Sequence, residues 1–183
     1  MHRTSPSQRS AHVFSLILPA LLVTLSGCTG TKSVPSSPQD SEQPTGALVD
    51  ASECKSFRLA PIDSVTPSNM DCIEYAYGTD SSLVLRHVNA AFNCCPGALF
   101  ATFEFHDSVI IIEEHETAAL CGCDCLYDLE FALRHISPGV YGIKVIEPYV
   151  GDDEEPLDFV VDLRIPASGN YCVERDTYPW NAP

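Results

Sequence analysis

The chain has 183 residues, 9 of them cysteine, with 25 Asp plus Glu against 10 Lys plus Arg and a formal net charge of -15. That length suits one ordinary domain, and 45% apolar residues can supply its core. The acidic balance excludes a basic stripe able to neutralise nucleic-acid phosphates or to hold the protein on an anionic bilayer by charge, and 9% aromatic with only 19% charged residues excludes wholesale disorder.

Residues 1–12 are polar and carry Arg3 and Arg9 but no acid, and residues 13–25 form an apolar run. As a helix that run would span about 20 Å, short of the roughly 30 Å hydrocarbon layer, so it reads as a signal segment and not as a stable membrane span. Directly after it, Leu25-Ser26-Gly27-Cys28 resembles the lipobox of bacterial lipoproteins. The resemblance implies that residues 1–27 are a signal peptide and are removed. Cys28 then carries a diacylglyceryl thioether, usually with a further amide-linked chain, and the membrane is bound through this anchor. At about 0.8 kcal/mol per buried methylene, several acyl chains hold far more firmly than one. In that family Asp after the lipidated Cys favours the inner membrane; Thr29 stands here, which implies the outer membrane. Processing removes two bases and no acid, so the exported domain is more acidic still, which suits a body held away from an anionic surface.

Residues 28–52 contain Pro35, Pro38 and Pro44 among several Ser and Thr, without an apolar period. They read as a flexible tether with a reach on the order of 25 Å. The domain is expected over residues 53–183, beginning near Cys54.

From Asp71 onward apolar residues recur with period two. Strands are expected at residues 72–77, 83–93, 99–105, 109–112, 125–134, 140–149, 157–163 and 171–175. The clearest is 125–134, where Cys125, Tyr127, Leu129, Phe131 and Leu133 fall on one face and Asp128, Glu130 and Arg134 on the other. Leu99, Ala101, Phe103 and Phe105 alternate in the same way, while residues 109–112 are apolar on both faces and read as an interior strand. Gly78-Thr79-Asp80, Ser137-Pro138-Gly139 and Gly151-Asp152-Asp153 supply turns. The expectation is an all-β fold, an antiparallel β-sandwich of about eight strands, with a small β-barrel as the alternative.

Ile136-Ser137-Pro138-Gly139-Val140-Tyr141-Gly142-Ile143-Lys144-Val145 resembles the turn and following strand of immunoglobulin-like and transthyretin-like extracellular domains. The resemblance implies an immunoglobulin-like sandwich in which Tyr141 sits at a corner, its ring at the core edge and its hydroxyl on backbone.

Apart from Cys28, the cysteines are Cys54, Cys72, Cys94, Cys95, Cys121, Cys123, Cys125 and Cys172. An even number in an exported domain argues for disulfides, each worth about 2 to 4 kcal/mol. Spacing suggests joining Cys94 and Cys95 to two of the three clustered cysteines, Cys72 to the third, and Cys54 to Cys172. The alternative is a metal site: Cys94, Cys95, Cys121, Cys123 and Cys125, with His87 and His115 close in sequence, offer soft S and N ligands for Zn²⁺ or Cu(I). The spacing does not fit a zinc ribbon, and a strained Cys121-Cys123 disulfide for thiol exchange lacks a basic neighbour.

Glu113-Glu114-His115-Glu116 and Gly151-Asp152-Asp153-Glu154-Glu155 place hard ligands in rows where Ca²⁺ could bind, although solvated acidic loops are the preferred reading. His87, Asn89 and Asn93 share a strand and read as surface polar residues or a binding stripe, with an Asn capping the turn before Cys94. Tyr178-Pro179-Trp180 reads as a plug for the open end of the sandwich, or else as a stacking surface for a glycan or a protein partner. No motif of nucleophilic, zinc-protease or nucleotide chemistry is present. These features together suggest a lipid-anchored, non-catalytic binding or structural module of the cell envelope; thiol exchange is the activity to consider were it an enzyme, and a Zn- or Cu-binding protein is the alternative.

Overall fold

The computed structural model describes residues 42–55 and 66–180. The expected signal peptide, Cys28 and the expected tether as far as residue 41 lie outside the described residues.

Among the described residues nine strands form two sheets, and no helix occurs. They are β1 (Thr45–Ala51), β2 (Met70–Tyr77), β3 (Leu83–Asn93), β4 (Leu99–His106), β5 (Val109–Glu116), β6 (Asp124–Arg134), β7 (Val140–Ile146), β8 (Asp158–Asp162) and β9 (Ala167–Glu174). One sheet has the order β1-β6-β3-β2-β9 and the other β4-β5-β7-β8. The two face each other across one core and do not close into a barrel, so the molecule is a disulfide-stabilised β-sandwich.

The eight expected strands stand where the period-two pattern places them, with ends that differ by a few residues. Two expectations are corrected. The tether does not run to Ser52: Thr45–Ala51 is β1, paired antiparallel with β6, so the fold begins well before Cys54. Only Gly46 and Leu48 of this edge strand are even half-buried, which leaves too little apolar alternation to read. Nor is the sandwich wholly antiparallel, because β5 pairs with β7 in parallel. The intervening β6 lies in the opposite sheet, and that crossing returns the chain to its original direction.

The core takes the inward phase of each strand: Ile73 and Tyr77 from β2, Leu83 and Leu85 from β3, Ile110 and Ile112 from β5, Leu129, Phe131 and Leu133 from β6, Ile143 and Val145 from β7, Phe159 and Val161 from β8. Aromatic contacts span the two layers, with Phe103 edge-on to Phe131 at 5.9 Å and Phe159 stacked on Tyr171 at 4.9 Å. Tyr141 donates its hydroxyl to the Ser137 carbonyl at 2.8 Å, and Tyr77 donates to Ile136 at 2.7 Å, so both rings tie the same corner.

Within β3 the inward phase breaks once. The register against β6 shifts between Val88 and Ala90, and Asn89 has φ of 70°. This bulge turns inward Leu83, Leu85 and His87 into inward Ala90 and Phe92. Asn tolerates the left-handed region better than most residues.

Candidate functional site

Continuing the inward phase of five strands by one further step of two residues replaces apolar side chains by polar ones. Ile73 leads back to Asp71 in β2 and Leu85 on to His87 in β3. Ile112 leads to Glu114 in β5, Val145 to Glu147 just past β7, and Val173 to Arg175 just past β9. These five side chains meet at one end of the sandwich, behind the apolar core. Asp71 and His87 are 0% exposed, Glu114 is 2% and Arg175 is 1%.

His87 is held at both ring nitrogens. Its Nδ1 lies 2.7 Å from Glu114 Oε1 and its Nε2 2.6 Å from Asp71 Oδ1, with Glu147 Oε1 at 3.8 Å from the same Nε2. Arg175 spans the other side. Its Nε donates to Asp71 Oδ2 at 3.0 Å, one terminal nitrogen donates to Glu147 Oε2 at 3.0 Å, and the other to the Glu155 carbonyl at 2.5 Å. Glu114 Oε2 and Glu147 Oε1 are buried without a hydrogen-bond partner. Full burial opposes the charge on His87, but the Glu114 and Asp71 carboxylates outweigh it and hold its pKa well above the usual imidazole value. Burial pushes Glu147 well above the carboxylate range. Asp71 is lowered, because His87 and Arg175 overcome the desolvation that would raise it. A buried network of this kind is not in itself a gain in stability, but removing one member strands the others and is costly.

Asp71, His87 and Glu147 each offer a ligand atom, and these atoms all lie within 4.8 Å of one another. Beside them, an open cleft of about 680 Å³ is lined by Asp153, Glu154, Glu155, Glu174, Asp176 and Thr177. Glu154 joins the two, approaching Arg175 at 3.5 Å and accepting from Thr177 at 2.6 Å.

The eight cysteines among the described residues form Cys54–Cys125, Cys72–Cys172, Cys94–Cys123 and Cys95–Cys121. Cys94 and Cys95 thus take two of the three clustered cysteines, as spacing suggests. The other two pairs are corrected: Cys72 does not join the cluster and Cys54 does not join Cys172. Cys72 and Cys172 are directly opposed in the β2–β9 ladder, Cα to Cα 4.1 Å, and the chain after β1 continues beside β6, where Lys55 N–H donates to Leu126 O at 2.9 Å and brings Cys54 to Cys125. All five sulfurs of the thiolate-metal alternative are therefore bonded to other sulfurs. Its histidines also lie elsewhere. His87 sits in the buried cluster, and His115 stacks on Phe100 at 4.9 Å.

Asn93 organises the loop these bridges close. Its amide nitrogen donates to Cys121 O at 2.7 Å and Cys123 O at 3.0 Å, and its oxygen accepts from the Cys95 and Cys121 N–H groups, each at 3.0 Å. Asn89 donates to Pro67 O and Met70 O, while Lys55 donates to its oxygen at 2.7 Å. His87, Asn89 and Asn93 are thus buried in three separate settings and form neither a surface stripe nor a set of exposed side chains. The Glu113 to Glu116 row is no loop either. It lies in β5, where successive residues point to opposite faces and cannot converge on one ion; Glu114 is buried and Glu116 accepts from Tyr149 at 2.6 Å. Trp180 does not plug the core between the sheets. It packs on Ala91 and Leu126, whose neighbours in sequence face that core, and its Nε1–H donates to Asn89 O at 2.9 Å.

Sequence reasoning located His87 but missed Asp71, Glu114, Glu147 and Arg175 as its partners. The available signal was the inward phase carried two residues past the last apolar position. Compared with models of protein families, with curated proteins and with solved structures, the chain matches none.

Proposed function

We propose that the protein is exported, processed before Cys28, and held at the cell envelope by lipid on that residue, where it displays a non-catalytic binding or structural domain. The observation that carries this reading is how the cysteines are used. Of nine, the eight in the described residues are consumed in four disulfides, a chemistry of oxidising compartments. The ninth follows an apolar segment and Leu25-Ser26-Gly27, the order of a lipoprotein signal. The non-catalytic part is supported by the burial of the polar cluster, since His87 and Asp71 present no surface to a substrate. Thr29 after the anchor points to the outer membrane.

The test is mass spectrometry of the mature N-terminus together with cell fractionation of the wild type and Cys28→Ala. Acylated Cys28 as first residue, with loss of membrane retention in Cys28→Ala, is expected. An unmodified Cys28 thiol, or a variant retained as well as the wild type, would overturn the reading.

A further inference from the structure

We propose that the buried cluster is a structural zinc site, with Asp71 Oδ1, His87 Nε2 and Glu147 Oε1 as ligands. The proposal stands apart from membrane anchoring and holds whether or not Cys28 is lipidated. It rests on how each donor group is divided. Asp71 gives Oδ2 to Arg175 and keeps Oδ1 toward His87. Glu147 gives Oε2 to Arg175, and its Oε1 is left buried, without a partner, 3.8 Å from His87 Nε2. His87 uses Nδ1 on Glu114 and turns Nε2 toward Asp71 Oδ1, 2.6 Å away, so the ion would replace the proton shared between those two atoms. Every ligand thus has its far atom held by a second residue, the arrangement in which a carboxylate orients a metal-bound imidazole.

Size and charge agree. Tetrahedral zinc with bonds near 2.1 Å sets neighbouring ligand atoms about 3.4 Å apart. The two distances from Nε2, 2.6 Å to Asp71 and 3.8 Å to Glu147, lie on either side of that value, and all three ligand atoms lie within 4.8 Å of one another, so side-chain adjustment without a change of fold would bring them onto one ion. In the ligating state, with the imidazole neutral and the three carboxylates ionised, Arg175 leaves two negative charges for one divalent cation to cancel, so the ion takes the place of the protons that the cluster holds without it. Mixed imidazole and carboxylate donors suit zinc, which also needs no redox partner in an oxidising compartment. The ion would join β2 and β3 of one sheet to the end of β7 of the other, and the acidic cleft at Glu154 gives it a cation-attracting approach.

The full chain, purified in detergent, is freed of metal with a chelator and titrated with Zn²⁺ against a chromogenic competitor, with melting temperature followed in parallel. One zinc per chain and a raised melting temperature are expected. Glu147→Gln should weaken binding at least tenfold, and Glu114→Gln, which removes only the support of the imidazole, about 10- to 100-fold. X-ray absorption of the wild-type zinc complex needs no variant and should show an imidazole among oxygen ligands. Absence of saturable binding, a shell of oxygen alone, or undiminished affinity in Glu147→Gln would each overturn the site in favour of ions on the acidic surface.

Discussion

Replacing Trp180 by Ala tests whether the chain after β9 belongs to the fold. Trp180 is 0% exposed, lies against Ala91 and Leu126 with Tyr149 and Val150 beside it, donates Nε1–H to Asn89 O, and has the Arg175 guanidinium 5.4 Å from its ring centre. Truncating a buried Trp to Ala costs about 3 to 5 kcal/mol in a closed core. Here the ring packs in a small cluster outside the core between the sheets, where water can reach the Asn89 carbonyl once the ring is gone, which places the loss near the lower bound, about 3 kcal/mol. Trp180→Phe keeps most of the ring area and loses the donor, for about 1 to 2 kcal/mol. For a domain of this size the Ala variant should melt on the order of 10 °C lower. Urea and thermal unfolding should be followed by far-UV circular dichroism, because Trp180 is the only tryptophan and its fluorescence disappears with the substitution. A loss below about 0.5 kcal/mol for the Ala variant, the range of an ordinary surface substitution, would refute the reasoning.

Three further outcomes follow from the fold. Breaking Cys72–Cys172, with sequence separation 100, by a double Ala substitution should lower stability by about 2 to 5 kcal/mol in urea unfolding, whereas breaking Cys95–Cys121 alone should cost much less, because Cys94–Cys123 still closes almost the same loop; equal losses would contradict this. Any side chain at Gly46 of β1 would run into the Phe103 ring of β4, so Gly46→Leu should destabilise by about 1 to 3 kcal/mol, and a neutral result would mean that β1 is not packed on the domain. Tyr149 donates to the Glu116 carboxylate, which with burial pushes its pKa from 10.0 to about 12. Because the folded value is the higher, this contribution is complete below pH 10 and is lost as pH rises through about 12; ultraviolet titration of Tyr149→Phe against the wild type should remove one late-ionising phenol, and Glu116→Gln should bring that phenol down.

Much of the sandwich was legible because a half-buried strand writes its phase into the sequence. Cys125 through Leu133 alternate against Asp128, Glu130 and Arg134, and β6 follows that phase. β1 was not legible, since only Gly46 and Leu48 of its seven residues turn inward. The bulge at Asn89 was hidden for a different reason: one inserted residue reverses every later side chain, so His87, Asn89 and Asn93 look equivalent by spacing and are not in space. The charge cluster was half visible. Ile112 to Glu114 and Val145 to Glu147 each show an acid on an inward phase, but period alone gives no reason to bury it.

The sequence by itself determined the class of structure, the approximate strand positions, an even set of domain cysteines that pair, and an acidic exterior, because these depend on composition and on a period of two along one chain. The tertiary structure decided which residues meet. Register set Cys72 opposite Cys172, the crossing through β6 made β5 and β7 parallel, and both together brought Glu114 and Glu147 beside His87. Those contacts join residues tens of positions apart, and a one-residue slip in any ladder would point each of them to the other face.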